Sequence, residues 1–430
     1  MLTQALPGFR DFYPDDFALR AYIFETWRKV ATRYCFEEYD GPPLEQLELY
    51  TAKSGDEIVG QLYNFTDKGE RQVALRPEMT PTLARMVAAR ANGLKKPIRW
   101  FSIPQLFRYE RQQRGRLREH FQLNCDLIGE TSPLADAEII ALAVDVIRAF
   151  GLGAADVKVR LSDRRVLEAL LASAGVQAGQ MGAVFAAVDK IERMDREESR
   201  KRLFATGLTD QTVNGVFRSL ELKSINDVVQ SLENPVPTQG LRATVMALES
   251  MGLADFVEMD LTIVRGLAYY TGTVFELFDA GKTLRAICGG GRYDNLAGAV
   301  GGVDLPAVGF GFGDVVLGEL LKDRGLVPQG QGSIDVFIAA IQGDDLPHAL
   351  KLAHDLRDAG YRVEYTLSGQ AVGKQLKLAD ARNARVAIVV GPDDRARGEV
   401  MVKDLRAKTQ QGVALGAVPS AIAALLKGTV

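Results

Sequence analysis

Cysteine is scarce in this chain: Cys35, Cys125 and Cys288 are the three in 430 residues, far apart and without a CxxC spacing. That argues against a disulfide framework and against a structural zinc site, and fits a reducing compartment. Histidine is equally scarce, and His120, His348 and His354 are too scattered to suggest a metal cluster. No uninterrupted apolar run approaches about 18 residues, so a membrane-spanning helix is not expected. The opening, Met1 to Asp16, lacks an apolar h-region and carries Arg10, Asp11, Asp15 and Asp16 close together. A secretory or transit signal is therefore not expected, and the chain reads as cytoplasmic. Net charge is close to nil at −3, which neither requires nor forbids a nucleic-acid partner, because local clustering outweighs the sum.

What is present is the balance of an ordinary globular protein, 47% hydrophobic and 25% charged, in a chain long enough for two or three domains. Leu19, Ile23, Trp27, Val30 and Tyr34 recur at helical spacing over Ala18–Tyr34. Pro42-Pro43 then enforces extended backbone. Gln72–Leu75 reads as a strand and Thr82–Ala89 as a helix. Arg99–Arg108 and Gln122–Ile128 read as two strands of a long hairpin. Ala135–Phe150 is an apolar helix ended by Gly151. A strand near Val157–Leu161 precedes a region rich in Ala, Leu, Glu, Arg and Lys, about 165–252, which predicts a helical insertion. Strand signals return at Val257–Val264 and Thr273–Phe278. After a Gly/Gln-rich stretch near 323–333 the pattern alternates. Strands are expected at Asp335–Ala340, Arg362–Tyr365 and Val386–Val390, and helices at Leu346–Ala359, Gly373–Arg382 and Pro419–Leu426. That alternation predicts a small α/β domain with a parallel or mixed sheet.

Four segments could carry chemistry. Between Phe107 and Phe121 the hairpin gathers Arg108, Arg111, Arg114, Arg116 and Arg118 against only Glu110 and Glu119. Guanidinium groups suit polyphosphate because their fork of donors keeps its charge. Alternation puts Gln122, Asn124 and Asp126 on one strand face, a set suited to an ammonium group, with Leu123, Cys125 and Leu127 on the other. A solvated hairpin with surface arginines is the plainer alternative. Arg76-Pro77-Glu78-Met79-Thr80 offers a carboxylate and a hydroxyl, although Thr80 could equally cap the helix that follows. Val264-Arg265-Gly266-Leu267-Ala268-Tyr269-Tyr270-Thr271-Gly272 sets a cation and two phenols between glycines, where paired tyrosines are more often packing residues. Gly289-Gly290-Gly291-Arg292-Tyr293-Asp294 and Gly309-Phe310-Gly311-Phe312-Gly313 permit close backbone approach to a flat ligand, or simply tight turns. No Walker-A lysine and no strand–GxGxxG–helix arrangement accompany them, so P-loop and Rossmann readings fail.

In this order the segments resemble the class II aminoacyl-tRNA synthetases, and within them the histidyl enzymes. Leu6-Pro7-Gly8-Phe9-Arg10-Asp11 is similar to their opening, and Pro42 with Glu45-Gln46 to motif 1. FRYERQQRGRLR at 107–118 resembles the motif 2 loop, VRGLAYY at 264–270 the histidine-specific segment, and GGGRYDN at 289–295 a Gly-rich strand entry. The tail, with Gly373-Lys374-Gln375-Leu376-Lys377, resembles the anticodon-binding domain shared with the glycyl, threonyl and prolyl enzymes. The resemblance implies an α+β catalytic domain over 1–325, an antiparallel sheet flanked by helices and carrying the helical insertion. A linker at 326–333 and an α/β anticodon-binding domain at 334–430 would follow.

It also implies ATP-dependent ligation of histidine to its tRNA through an adenylate, with ATP as substrate, Mg²⁺ bound with ATP, no resident metal, and a homodimer built on motif 1. By position, Arg108 and Arg265 would act catalytically at the α-phosphate. Glu110 would face the adenine end, and Arg116 would reach the outer phosphates. Thr80, Gln122 and Asp126 would take the amino acid's ammonium. Glu78 and Tyr270 would address the imidazole nitrogens, with Met79 and Tyr269 beside them. The sequence departs from the family pattern at four positions. Asp126 stands for glutamate, Ala268 for aspartate, Met79 for glycine, and Val316 for the arginine that grips ATP in motif 3. The combination is similar to organellar-type histidyl enzymes of plants, and Arg114 or Arg285 would then stand in for the missing arginine. A non-catalytic, histidine-binding regulatory paralogue is the alternative, against which the patterned tail counts.

Overall fold

The computed structural model describes residues 3–54, 60–111, 113–265, 270–281, 283–295, 298, 302–328 and 334–427. Two compact units are present, one holding Met1–Phe12 and Leu19–Val327, the other Tyr13–Ala18 and Pro328–Val430.

The strands of the first unit are β1 (Glu37–Glu38), β2 (Leu44–Gln46), β3 (Asn64–Thr66), β4 (Gln72–Leu75), β5 (Ile98–Ser102) and β6 (Gln105–Phe107), then β7 (Glu119–Ile128), β8 (Val157–Asp163), β9 (Val257–Met259), β10 (Thr273–Asp279), β11 (Cys288–Arg292) and β12 (Ala307–Gly313). Among the described residues β2, β4 and β3 form a small sheet, and nine strands form a large one in the order β1-β5-β7-β12-β11-β10-β8-β9, with β6 also on β7. The large sheet is antiparallel except at its edges, where β1 runs parallel to β5 and β9 parallel to β8. One face of it buries the helices Pro14–Arg33 and Pro133–Ala149 through Trp27, Ile139, Ile140, Phe312 and their neighbours.

The middle of this sheet explains the glycines. Gly289 pairs with Gly311 and Gly291 with Gly309, while Gly290 faces Phe310 and Cys288 faces Phe312. Side chains alternate across a sheet. One face of β11 and β12 is therefore bare, and the other carries Phe312, which packs edge-on to Trp27 at 6.1 Å. The runs at 289–291 and 309–313 are strands rather than the tight turns that local chemistry favours. The bare face lies between Gln122, Asn124 and Asp126 of β7, opposite Gly313, Gly311 and Gly309, and Glu276 of β10, opposite Gly289.

Between β8 and β9 run the helices Arg164–Ser173, Met181–Val188, Arg196–Phe204, Asp210–Leu220, Ile225–Gln230 and Thr238–Ser250. Several start on side-chain caps, with Asp163, Asp195, Thr209 and Ser224 accepting from the first backbone N–H groups. Two local expectations are corrected. The strand expected over Val257–Val264 stops at Met259, because Asp260 folds back to accept from Thr262 N at 3.1 Å. Thr80 does not cap its helix; it is the first residue of Thr80–Arg90, whose cap position, Met79, makes no side-chain capping bond.

In the second unit β13 (Val336–Ala340), β14 (Val363–Tyr365), β15 (Val386–Val390), β16 (Glu399–Asp404) and β17 (Thr409–Ala414) form one sheet, ordered β14-β13-β15-β16-β17. The first three strands are parallel and the last two antiparallel. Among the described residues no helix of either unit is long and apolar enough to cross a membrane.

Candidate active site

Two cavities adjoin on the bare face. The larger, about 860 Å³, is lined by Arg108, Arg116, Arg160, Arg193, Arg265 and Arg285 among others. The smaller, about 50 Å³, is lined by Glu78, Thr80, Gln122, Asp126, Tyr270 and Tyr293 among others. Arg108, Gln122, Arg265, Gly289 and Gly311 line both, so the two cavities share a wall that carries both arginines.

The glycine floor brings these side chains down onto the sheet. A Cβ at Gly289 would stand 1.5 Å from Nη1 of Arg265, one at Gly309 would stand 2.0 Å from Oδ1 of Asp126, and one at Gly311 would stand 2.5 Å from Cδ of Gln122. Each functional group thus occupies the volume a side chain would have taken.

Arg108 reaches the site from the hairpin, its Nε donating to Pro77 O at 3.0 Å. The segment carrying Glu78 and Thr80 is fixed from below by buried Arg76, which donates to Asp40 Oδ1 at 2.8 Å, Gly41 O at 2.7 Å and Gln105 O at 3.0 Å. Met79 does not line either cavity; it is buried under the segment with its Sδ 3.8 Å from Nη1 of Arg76. Glu110 and Arg116 form an ion pair across the hairpin loop, on the wall of the larger cavity. Arg265 also lines both cavities, its Nη1 donating to Glu276 Oε1 at 2.8 Å and its guanidinium 5.7 Å from the ring centroid of Tyr270. Its φ of +54° is a left-handed conformation rarely taken by non-glycine residues, as strained backbone at functional sites often is. Tyr269 lies outside the described residues.

Asp126 is buried and accepts a hydrogen bond from the Tyr293 hydroxyl. Burial pushes its carboxyl up to about 7, and the Tyr293 bond opposes that rise. Burial also raises Tyr270, against the nearby charge of Arg265. His120, on the wall of the larger cavity, is pushed down to about 3 by burial and then by Arg108 and its neighbours, so it stays neutral.

Val316 is on the cavity wall beside the hairpin loop, where a Cβ at Gly115 would meet its Cγ2 at 3.2 Å and Cδ of Arg285 at 3.7 Å. Of the two basic side chains expected near it, Arg285 lines the cavity, whereas Arg114 turns to the helix Asp314–Asp323 and pairs with Glu319 at 3.3 Å. Sequence reasoning missed Glu276, Tyr293 and Arg193. It also missed the clamp in which Arg10 bonds Glu119 at 2.6 Å and Asp314 at 2.9 Å. Tyr293 and Arg10 lie within the motifs, but their partners, Asp126 and Glu119 on β7 and Asp314 at a helix start, come from distant parts of the chain. Among the described residues no group of three or more His, Cys, Asp or Glu side chains gathers where it could hold a metal ion.

Known proteins resemble this chain over nearly its whole length. A family model described as histidyl-tRNA synthetase matches residues 8–313, and one described as anticodon binding domain matches 335–425. A histidine–tRNA ligase from Opitutus terrae is 46% identical over 418 residues, covering 95% of each chain. A chloroplastic/mitochondrial histidine–tRNA ligase from Arabidopsis thaliana is 41% identical, covering 95% of this chain and 84% of its own. The crystal structure of a histidyl-tRNA synthetase from a Nostoc species superposes with a TM-score of 0.85 at 26% identity, covering 99% of both chains.

Proposed function

Because the chain belongs to the histidyl-tRNA synthetase family, we propose that its two adjoining cavities hold histidine and ATP for adenylation ahead of transfer to tRNA(His). The enzyme is a histidine–tRNA ligase, and the observation that carries this division of labour is the wall shared by the two cavities, with Arg108 and Arg265 on it.

Histidine takes the smaller cavity. Its ammonium goes to Asp126, Gln122 and Thr80, and its imidazole lies between Glu78 and Tyr270, with Tyr269 assigned beside them by the family pattern alone. A site that bonds both ring nitrogens rejects analogues lacking one, because a buried partner would be left unpaired. ATP enters the larger cavity as its magnesium complex. Arg116 and Glu110 meet it on the hairpin side, and Arg108 and Arg265 flank the α-phosphate. The histidine carboxylate attacks there, forming a C–O–P bond as the bond to pyrophosphate breaks. The protein contributes position and positive charge where negative charge gathers in the transition state. The 3′-terminal ribose of the tRNA then takes the histidyl group and AMP leaves. The second unit supplies the anticodon contact.

Histidine-dependent ATP–pyrophosphate exchange by the purified chain tests this reading. Exchange driven better by proline or threonine, or histidine binding without exchange, would sink it; the latter result would point to a regulatory histidine-binding paralogue. A homodimer is part of the same proposal, supported by the exposed apolar side chains Leu44 and Phe65 on the small sheet. Sizing at micromolar concentration is expected to give twice 46.9 kDa, and a single monomer peak would refute it.

The Asp126 carboxyl predicts a pH dependence. Raised to about 7 in the free enzyme, it is neutral below that pH and must release its proton to receive an ammonium. KM for histidine is therefore expected to rise up to tenfold per pH unit as pH falls below 7, and to be flat above it. Asp126→Asn should lose this slope while keeping any slope due to the ligand's own imidazole. Identical profiles for the two proteins would disprove the assignment.

A further inference from the structure

We propose that Arg193 and Arg285 join Arg116 in a cradle for the outer phosphates of the nucleotide, so that the helical insertion supplies a side chain to the ATP site. This rests on the larger cavity being the ATP site.

The three guanidinium groups line that cavity from three separate stretches of chain. Arg116 comes from the hairpin loop, Arg285 from the connection between β10 and β11, and Arg193 from the one-turn helix Ile191–Arg193 of the insertion. Partial burial, then the charges of Arg116 and Arg193, press the Arg285 guanidinium below its ordinary value, with Glu110 opposing. Like charges converging on a cavity cost free energy until a polyanion fills it. Among the described residues Arg116 has Glu110 as ion-pair partner, whereas neither Arg193 nor Arg285 pairs with a carboxylate. Arg285 instead donates to the side-chain oxygen of Gln113 in the hairpin loop, which keeps it beside Val316.

Arg193 is held in place by its neighbour. Glu192 accepts from Nη1 of Arg160 at 2.8 Å, and Arg160, buried on β8, also donates through Nε to Asp260 at 2.7 Å. The turn is thereby fixed to the large sheet, with the Glu192 carboxylate engaged by Arg160. Asp189 is the remaining carboxylate that this part of the insertion sets on the cavity wall. Val316 adds no charge at this wall, so Arg285 and Arg193 provide what it lacks.

The test is pyrophosphate exchange by the full chain with ATP, pyrophosphate and histidine varied in turn. Arg193→Ala and Arg285→Ala are each expected to raise KM for ATP and for pyrophosphate on the order of tenfold, as loss of a charge-assisted contact does. KM for histidine should be unchanged. Val316→Arg should bring the ATP KM of Arg285→Ala back to within about threefold of the unmodified enzyme, since it returns a guanidinium to the same wall. Unchanged ATP and pyrophosphate KM values in both single variants, with unchanged melting temperatures, would overturn the cradle. An effect at Arg285 alone would overturn the role of the insertion. Absence of histidine-dependent exchange in the unmodified chain would instead overturn the ATP-site reading and the cradle with it.

Discussion

Replacing Arg265 with alanine is expected to lower the rate of histidine-dependent ATP–pyrophosphate exchange by about two to three orders of magnitude, the usual cost of removing one preorganised donor from a developing charge. Its guanidinium lies across Gly289, is held by Glu276 at 2.8 Å and faces both cavities. The residue accepts a φ of +54° to be there, and surrounding packing keeps such a conformation only where something is gained from it. Because the charge grows in the transition state, the loss should fall on the rate more than on histidine binding. Arg265→Lys should recover little, since an ammonium cannot reproduce the fork that reaches Glu276 and a phosphate oxygen together. Rapid-quench measurement of adenylate formation checks this; a decrease of less than tenfold, with the protein folded, would remove Arg265 from the reaction.

The sequence made some of this site visible because the relevant signals were local. The two-residue alternation that puts Gln122, Asn124 and Asp126 on one face needs only the strand itself, and their register against Gly313, Gly311 and Gly309 places that face on the site. The insertion is likewise visible in local composition, a run of Ala, Leu, Glu, Arg and Lys between β8 and β9, without reference to the rest of the fold.

What stayed hidden depends on pairings between distant segments. A run of three glycines looks like a turn until β10 and β12 are known to flank it. Tyr293 acquires its meaning from Asp126, and Arg193 from a cavity built by other parts of the chain. Val316 looks like a defect in isolation, yet Arg285 is beside it. The hairpin β16–β17 was missed for a local reason. Its turn contains Arg406 and Lys408 rather than glycine or proline, with Lys408 taking a φ of +56°, so the ordinary punctuation was missing.

The glycine floor yields the second large effect, and it separates two neighbouring positions. Gly289→Ala is expected to leave the fold nearly intact and to reduce exchange to the level of Arg265→Ala. The three nearest atoms to its new Cβ, at 1.5, 2.5 and 3.0 Å, all belong to the Arg265 guanidinium, the movable end of a long side chain. That group would swing away from the position between the cavities, and the backbone would not need to move. Gly290→Ala should do the reverse. Its Cβ would meet the Gly309 carbonyl oxygen at 2.4 Å, Phe310 Cβ at 2.7 Å and Phe275 Cζ at 2.8 Å, so strands or core side chains must part, at about 1–3 kcal/mol for overpacking. The melting temperature of Gly290→Ala should fall by several degrees, while that of Gly289→Ala stays close to the unmodified value. If one guanidinium explains the Gly289 effect, adding Gly289→Ala to Arg265→Ala should cost almost nothing further, because both changes remove the same group. Additive losses in that double variant, or melting of Gly289→Ala as low as that of Gly290→Ala, would show that the glycine serves the sheet and not the arginine above it.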